Sequence, residues 1–152
     1  MKTPVKTFAA VALIALSTFA MATEKIVGKT EKASVNLSTA GLALDHYVAV
    51  KTKGESAGIE QLFTEDFSQN VQSSQAATNS RNAVVDFFKK QKGEKLNCNV
   101  SARIIEKSAD YMIAKVTMKF ENFTMTDLVT LVREGDSWKV SLKLTRINKQ
   151  VV

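Results

Sequence analysis

Two reactive residue types occur only once in this chain, as His46 and Cys98. Metal sites and nucleophilic dyads need such groups close together, and these two are far apart in the sequence. We therefore expect neither a metal site nor a cofactor. His46 fits an exposed or helix-packing residue on the solvent side of its helix. Cys98 fits a small buried residue better than a nucleophile.

Any functional residue must be held in position by the helices and strands that carry it. Apolar residues recur at steps of three and four from Val35 to Lys53, which predicts a helix with Tyr47 on its apolar face. Ser56 is suited to cap a second, short helix. Ser80 is suited to cap a third helix, from Arg81 to Lys92.

The second half of the chain alternates apolar and polar residues, which predicts strands. Four antiparallel strands are expected, at Leu96–Lys107, Tyr111–Phe120, Phe123–Arg133 and Ser137–Ile147. The stretch Phe67–Ser74 is rich in Ser, Gln and Asn, which favours an edge strand or an extended loop. Helices followed by a sheet with one apolar face predict the α+β class.

The first 22 residues have the pattern of a secretory signal peptide. Two lysines precede an apolar run from Phe8 to Ala20, and Ala20-Met21-Ala22 is a small-x-small cleavage site. The run is shorter than the roughly 20 residues that span a bilayer. We expect cleavage before Thr23, export to the periplasm or the medium, and no membrane contact afterwards. A polar lead-in over residues 23–34 then precedes one domain at residues 35–150.

The charge of the chain is mildly basic, with 21 Lys and Arg residues against 15 Asp and Glu residues. The lysines are scattered along the predicted strands and helix ends. A scattered basic excess is typical of a solvated surface, whereas nucleic-acid binding needs a clustered basic patch. We therefore expect no nucleic-acid partner.

The predicted order of helices and strands resembles that of the NTF2-like superfamily, which includes ketosteroid isomerase-like and SnoaL-like proteins. The resemblance rests on five segments: Ala43–Val50, Gly58–Phe67, Asn82–Phe88, Thr126–Arg133 and Gly135–Val140. The last two look most like the branch called "putative lumazine-binding". The resemblance implies an NTF2-like cone, in which three N-terminal helices pack on a curved, mostly antiparallel sheet around a cavity.

The same resemblance implies residues for the cavity. Tyr47 matches the first-helix position of an oxyanion-hole tyrosine in ketosteroid isomerase-like enzymes, and Asp127 matches the strand position of a protonated acid. Asp127 shares its strand face with Val129 and Leu131, so we expect apolar surroundings to raise its pKa. The candidate ligand-binding residues are therefore Tyr47, Asp127, Val129, Leu131 and Leu44. The alternative is that Tyr47 and Asp127 form a purely structural hydrogen bond.

No catalytic residue is assigned, because the stretch Phe67–Ser74 lacks the acidic base that those enzymes carry there. Three functions stay open. The first is an exported, noncatalytic module that binds a small apolar or aromatic molecule. The second is an isomerase, dehydratase or cyclase of the SnoaL or ketosteroid isomerase type. The third is an interaction domain whose cavity is filled by its own side chains.

The resemblance also implies a homodimer through the exposed face of the sheet. Ile105, Tyr111 and Ile113 are apolar positions on strand faces that are otherwise polar. Apolar residues grouped on a polar face are typical of a contact patch. We therefore expect these three residues at the dimer interface.

Overall fold

The computed structural model describes residues 34–73 and 75–149. The predicted signal peptide and nearly all of the polar lead-in lie outside the described residues, so both stay predictions. Along the chain the elements are α1 (Ala40–Lys53), α2 (Ile59–Leu62), β1 (Phe63–Gln72), β2 (Ala77–Ser80), α3 (Arg81–Lys90), β3 (Asn99–Lys107), β4 (Tyr111–Lys119), β5 (Phe123–Glu134) and β6 (Ser137–Lys149).

The described strands form one six-stranded sheet in the order β2-β1-β6-β5-β4-β3. Strands β3 to β6 make the expected antiparallel meander, β2 is antiparallel to β1, and β1 is parallel to β6. The α+β class and the mostly antiparallel sheet are thus confirmed. The expectation of three N-terminal helices holds only in part, because α2 is a single turn and α3 follows the first two strands.

Most of the stretch predicted as an edge strand or an extended loop lies in strand β1, and its predicted place at an edge is wrong. It lies between β2 and β6, and the short strand β2, which the sequence did not reveal, is the edge. The polar residues of β1 are accommodated because their side chains form hydrogen bonds with side chains of the two neighbouring strands. The amide of Gln69 donates to Thr145 on β6 (3.1 Å), and Thr78 on β2 donates to Asn70 (3.0 Å).

The ends of α1 follow ordinary capping rules, whereas α2 begins after Gly58 without a side-chain cap, so the cap predicted at Ser56 is wrong. Helix α1 begins at Ala40 rather than Val35 because the hydroxyl of Thr39 accepts a hydrogen bond from the backbone of Leu42. Gly54 ends it in the left-handed region with φ 67°, where a Cβ would stand only 2.5 Å from the backbone of Glu94. None of the helices among the described residues has the length and apolar composition needed to cross a bilayer.

A bulge at Ser141 sets which residues of β6 face the helices. Opposite it, Thr130 pairs with Leu142 but the next residue, Leu131, pairs with Val140, so Ser141 is an extra residue in β6. One extra residue inverts the alternation of side chains along a strand. Val140 is therefore buried before the bulge, and Lys143 is buried after it.

The core lies between the helices and the central strands, and its largest fully buried side chains include Tyr47, Ile59, Leu62, Phe63, Met112, Met118 and Leu131. Trp138 also belongs to it. The apolar face predicted for β3 is not buried, and Val100 and Ile104 are 38% and 51% exposed. The reason is that the helices pack on the other strands of the sheet and leave this edge uncovered.

Candidate functional site

A cavity of about 360 Å³ lies between helix α3, the end of α1 and strands β1 and β6. Its lining combines apolar side chains with amides, a hydroxyl and two lysines: Lys51, Gln69, Val71, Asn79, Ala83, Val84, Phe87, Phe88, Met125, Lys143, Thr145 and Ile147. A second pocket of about 250 Å³ shares Lys51, Phe87, Phe88 and Met125 with it and adds Phe120 and Phe123. Together they form a largely apolar space.

Lys143 is the most unusual residue of the lining. Its side chain is 1% exposed, and its Nζ lies 5.4 Å from the centre of the Phe88 ring and 5.8 Å from that of Tyr47. It makes no hydrogen bond or ion pair with any residue in the described part of the chain. Burial, with the nearby charge of Lys51, lowers the pKa of Lys143 to about 7, although Asp127 opposes the shift. Much of this amine is therefore neutral near pH 7.

Asp127 is fully buried and is held by two hydrogen bonds and an ion pair. Tyr47 donates to Oδ2 at 2.5 Å and Thr145 donates to Oδ1 at 2.7 Å, while Nζ of Lys51 lies 3.9 Å from Oδ2. Burial alone would raise the pKa of Asp127. The charges of Lys51 and Lys143 and the two hydrogen bonds outweigh burial, so the pKa lies below its ordinary value.

The expected neutral Asp127 is thus wrong, and the reason is the pair of lysines that the sequence did not place beside it. An ionised carboxylate accepts hydrogen bonds and cannot donate one to an oxyanion. Tyr47 keeps its proton, because burial, the charge of Asp127 and their hydrogen bond all raise its pKa well above the usual value. Its hydroxyl is already committed to Asp127.

A chain of hydrogen bonds leads along the cavity wall to this carboxylate. Asn79 donates to Gln69 (3.3 Å), Gln69 donates to Thr145 (3.1 Å), and Thr145 donates to Asp127. The sheet register makes the chain possible, since Gln69 pairs with Lys143 and Asp127 pairs with Thr145 across adjacent strands. These polar groups are therefore held in place by the strands that carry them.

The structure brings together the two polar residues that the sequence singled out. Tyr47 and Asp127 touch, and Leu44, Val129 and Leu131 are buried in the core. None of the five is part of the described cavity lining. Their contact with a ligand stays a prediction.

The sequence missed the two lysines that line the cavity. A signal existed for Lys51, which follows Tyr47 by four residues and so shares its face of α1. No comparable signal existed for Lys143, because plain alternation along β6 places it on the outer face.

His46 does not lie on the solvent side of α1, contrary to our expectation. It is 8% exposed, and its Nε2 donates to the carbonyl of Ala57 at 2.8 Å. The helix-packing interpretation is therefore the right one. Cys98 is half-buried against the core, and burial raises the pKa of its thiol despite the charge of Lys51.

A separate depression of about 340 Å³ lies at residues 56–61 beside Lys89. It contains none of the polar cluster around Asp127, so we place no site there. Among the described residues, no group of three or more His, Cys, Asp and Glu side chains is arranged to hold a metal ion.

Comparison with solved structures shows an NTF2-like fold. An NTF-2 like protein of unknown function from Silicibacter pomeroyi DSS-3 is 19% identical, with 71% of this chain and 92% of that chain covered and a TM-score of 0.57. An NTF2-like protein of unknown function from Methylobacillus flagellatus KT is 20% identical, with coverage of 76% and 98% and a TM-score of 0.54. A ketosteroid isomerase-like protein from Erwinia carotovora atroseptica SCRI1043 is 12% identical, with coverage of 80% and 99% and a TM-score of 0.57.

At these identities the likeness concerns the fold alone. No curated protein matches the chain. The family described as "Putative lumazine-binding" matches residues 37–144, which is most of the domain. The resemblance drawn from the sequence is confirmed, and the chain belongs to this family.

Proposed function

We propose that this domain binds a small molecule in the cavity between α3 and strands β1 and β6, without transforming it. The observation that carries the proposal is the amine of Lys143, which faces an apolar cavity, is almost fully buried and has no hydrogen-bond partner among the described residues. Because no acceptor among the described residues competes for it, the amine can donate a hydrogen bond to a ligand that enters the cavity.

The cavity suits a ligand with a flat apolar body. Its volume of about 360 Å³ lies within the usual range for small-molecule sites, roughly 300–1,000 Å³. The rings of Phe87 and Phe88 and the side chain of Met125 offer apolar contact, and the adjoining pocket extends it toward Phe120 and Phe123. The family's description suggests lumazine, a bicyclic ring with carbonyl acceptors, as one probe.

Binding without chemistry is favoured by what the lining offers. The cavity lining among the described residues contains no Asp, Glu or His side chain, and the nearby Asp127 already has three partners. The cavity itself therefore offers no carboxylate base of the ketosteroid isomerase kind, and Glu94 lines only the adjoining pocket. The isomerase alternative would need Lys143 as its base, and conversion of a captured ligand would favour it. A cavity of this size also speaks against an interior filled by its own side chains.

Native mass spectrometry of protein purified from its own host tests the proposal, because a captured ligand should appear as a discrete added mass. Lumazine and small aromatic compounds are then titrated by calorimetry. Ala83→Trp should abolish binding by filling the cavity, since Ala83 is part of its lining. Asn82→Trp, the next position on α3 but outside the lining, is the matched control and should bind normally. Equal binding by both variants would place the site elsewhere.

A further inference from the structure

The positive and negative charges in the cluster around Lys143 do not cancel. Helix α1 contributes Lys51 and the phenol of Tyr47, and strand β5 contributes Asp127. The packed residues of α3 and β1, Phe88 and Gln69, carry no charge. With both lysines protonated, two positive charges face one negative charge, so the cluster has a net charge of +1. Glu94 lines only the adjoining pocket, beside Lys51.

The single carboxylate cannot serve both lysines equally. Asp127 already accepts from Tyr47 and Thr145 and is within ion-pair distance of Lys51. Lys143 is instead flanked by the faces of two aromatic rings, which stabilise a cation less than a hydrogen-bonded anion does. The cavity side of Lys143 is therefore where an additional negative charge gains most.

We propose that the ligand of this cavity is a monoanion, an apolar or aromatic carboxylate whose charged group sits at Lys143 and Lys51. This inference rests on the proposed function and specifies its ligand class. One negative charge neutralises the cluster, whereas a dianion would leave an excess negative charge buried beside Asp127. The body of the carboxylate lies along Phe87, Phe88 and Met125.

Binding of such an anion has a thermodynamic signature. Lys143 has a pKa of about 7 without a ligand, and a neighbouring carboxylate raises the pKa of an amine. Binding therefore takes up a proton wherever the free amine is neutral. From a pKa of about 7, the uptake should be larger at pH 8, where the free amine is mostly neutral, than at pH 6, where it is mostly protonated.

Calorimetry with 2-naphthoate and its neutral counterpart 2-naphthamide tests this proposal. Titrations at pH 6 and pH 8 in buffers of different ionisation enthalpy give the proton uptake directly. We expect 2-naphthoate to bind about tenfold more tightly than 2-naphthamide, or better, with the uptake stated above. The two probes share their ring system, so the comparison isolates the charge.

Lys143→Met assigns the effect to this amine. The variant should lose about tenfold or more in affinity for 2-naphthoate and lose the proton uptake at pH 8, and it should lose clearly less affinity for 2-naphthamide, whose carbonyl gives up one neutral hydrogen bond. Lys149→Met, an exposed lysine on the same strand, should match the wild type. A thermal melt of each variant confirms that it is folded.

The outcomes separate this proposal from the one on which it rests. Equal affinity for the two probes, or 2-naphthoate binding that Lys143→Met leaves unchanged, overturns the anion class and leaves small-molecule binding standing. Binding of neither probe to the wild type contradicts the carboxylate proposal. Small-molecule binding itself then fails only when native mass spectrometry and the Ala83→Trp comparison are also negative.

Discussion

The hydroxyl of Tyr47 donates a hydrogen bond of 2.5 Å to Oδ2 of Asp127, joining α1 to β5 across 80 positions of sequence. Both side chains are 0% exposed, so the bond is shielded from water. A hydrogen bond to an ionised group is stronger than one between neutral groups. This contact therefore fastens the first helix to the sheet and helps to keep Asp127 ionised inside the protein.

Tyr47→Phe should destabilise the domain by about 2 kcal/mol, because it leaves a buried carboxylate with one donor fewer. Equilibrium urea unfolding at pH 7 measures this. Tyr111→Phe is the matched control, since the hydroxyl of Tyr111 bonds to Glu106 at the exposed surface, and it should change stability by less than about 0.5 kcal/mol. Equal effects of the two substitutions would contradict a special role for the buried bond.

The same variant should change the acid side of the stability curve. The pKa of Asp127 is lowered in the folded state, so its contribution is present above the unfolded pKa and is lost as pH falls through the folded pKa. Removing the Tyr47 donor brings the folded pKa nearer to the unfolded one. The loss of stability between about pH 5 and pH 2 should then be smaller in Tyr47→Phe than in the wild type.

Lys143→Met should stabilise the ligand-free domain, by about 1–4 kcal/mol at pH 6, because it replaces a poorly paired buried cation with an apolar side chain of similar length. The folded pKa of Lys143 lies below its unfolded value, so the unfolded chain binds this proton more tightly. The free energy of unfolding of the wild type therefore rises as pH rises from about 7 toward 10.5. The difference in stability between Lys143→Met and the wild type shrinks over the same range.

Thermal unfolding at pH 6 and pH 9.5 checks this expectation. The melting temperature of Lys143→Met should exceed that of the wild type by several degrees at pH 6, and by less at pH 9.5. Lys149→Met serves as control at both values. A variant less stable than the wild type at pH 6 would show that Lys143 is well paired, contrary to our interpretation of the cavity.

Much of the fold follows from local patterns in the sequence. The alternation in Tyr111–Lys119 and the turn at Gly135 define the antiparallel meander without reference to the rest of the chain. Ser80 caps α3 as its sequence predicts. These elements are predictable because their determinants lie within a few residues of each other.

What escaped prediction depends on contacts between distant segments. Strand β1 looks like an edge by composition, and only its pairing with β6 places it inside the sheet. The bulge at Ser141 has no signature in the sequence, yet it turns Lys143 and Thr145 inward and Leu142 outward. Tyr47 and Asp127 were recognised through family resemblance, whereas the position of Lys143 beside them depends on this bulge.

Asp127→Asn should weaken ligand binding and His46→Ala should leave it unchanged. An amide offers one acceptor oxygen where the carboxylate offers two, so Tyr47 and Thr145 cannot both donate as before. Thr145 is part of the cavity lining, while His46 bonds to Ala57 away from it. Thermal stabilisation by a captured ligand, compared across wild type and both variants, measures this. Loss of the shift in His46→Ala alone would reverse our assignment of the site.

We propose that the chain is exported and that residues 1–22 are removed. The basis is the cleavage pattern Ala20-Met21-Ala22 after the apolar run. N-terminal sequencing of the exported protein should begin at or near Thr23. Ala22→Pro should block processing and cause a longer form to accumulate, and Ala9→Val, a conservative change within the apolar run, should process normally. An intact form retained in the cytosol as the main species would refute the proposal.

We also propose that the domain forms a homodimer through the outward face of the sheet. Like Ile113, the residues Leu128 and Leu142 face outward, and they are 38% and 41% exposed. Ile113 and Leu142 both pair with Thr130, and Leu128 pairs with Lys115, which is on the same strand as Ile113. A row of apolar side chains on an exposed sheet face favours contact with a second copy. Light scattering at micromolar concentration should give twice the monomer mass.

A charge introduced on this face should separate the two copies. Leu128→Glu places a carboxylate in the proposed contact, so light scattering should report the monomer mass over the same concentration range. Leu42→Glu on α1 is the matched control, because Leu42 is 40% exposed and lies away from the sheet face, and this variant should remain dimeric. A monomeric wild type would reject the dimer. A Leu128→Glu variant that stays dimeric would place the contact on another surface, such as the uncovered strand β3 with Ile105.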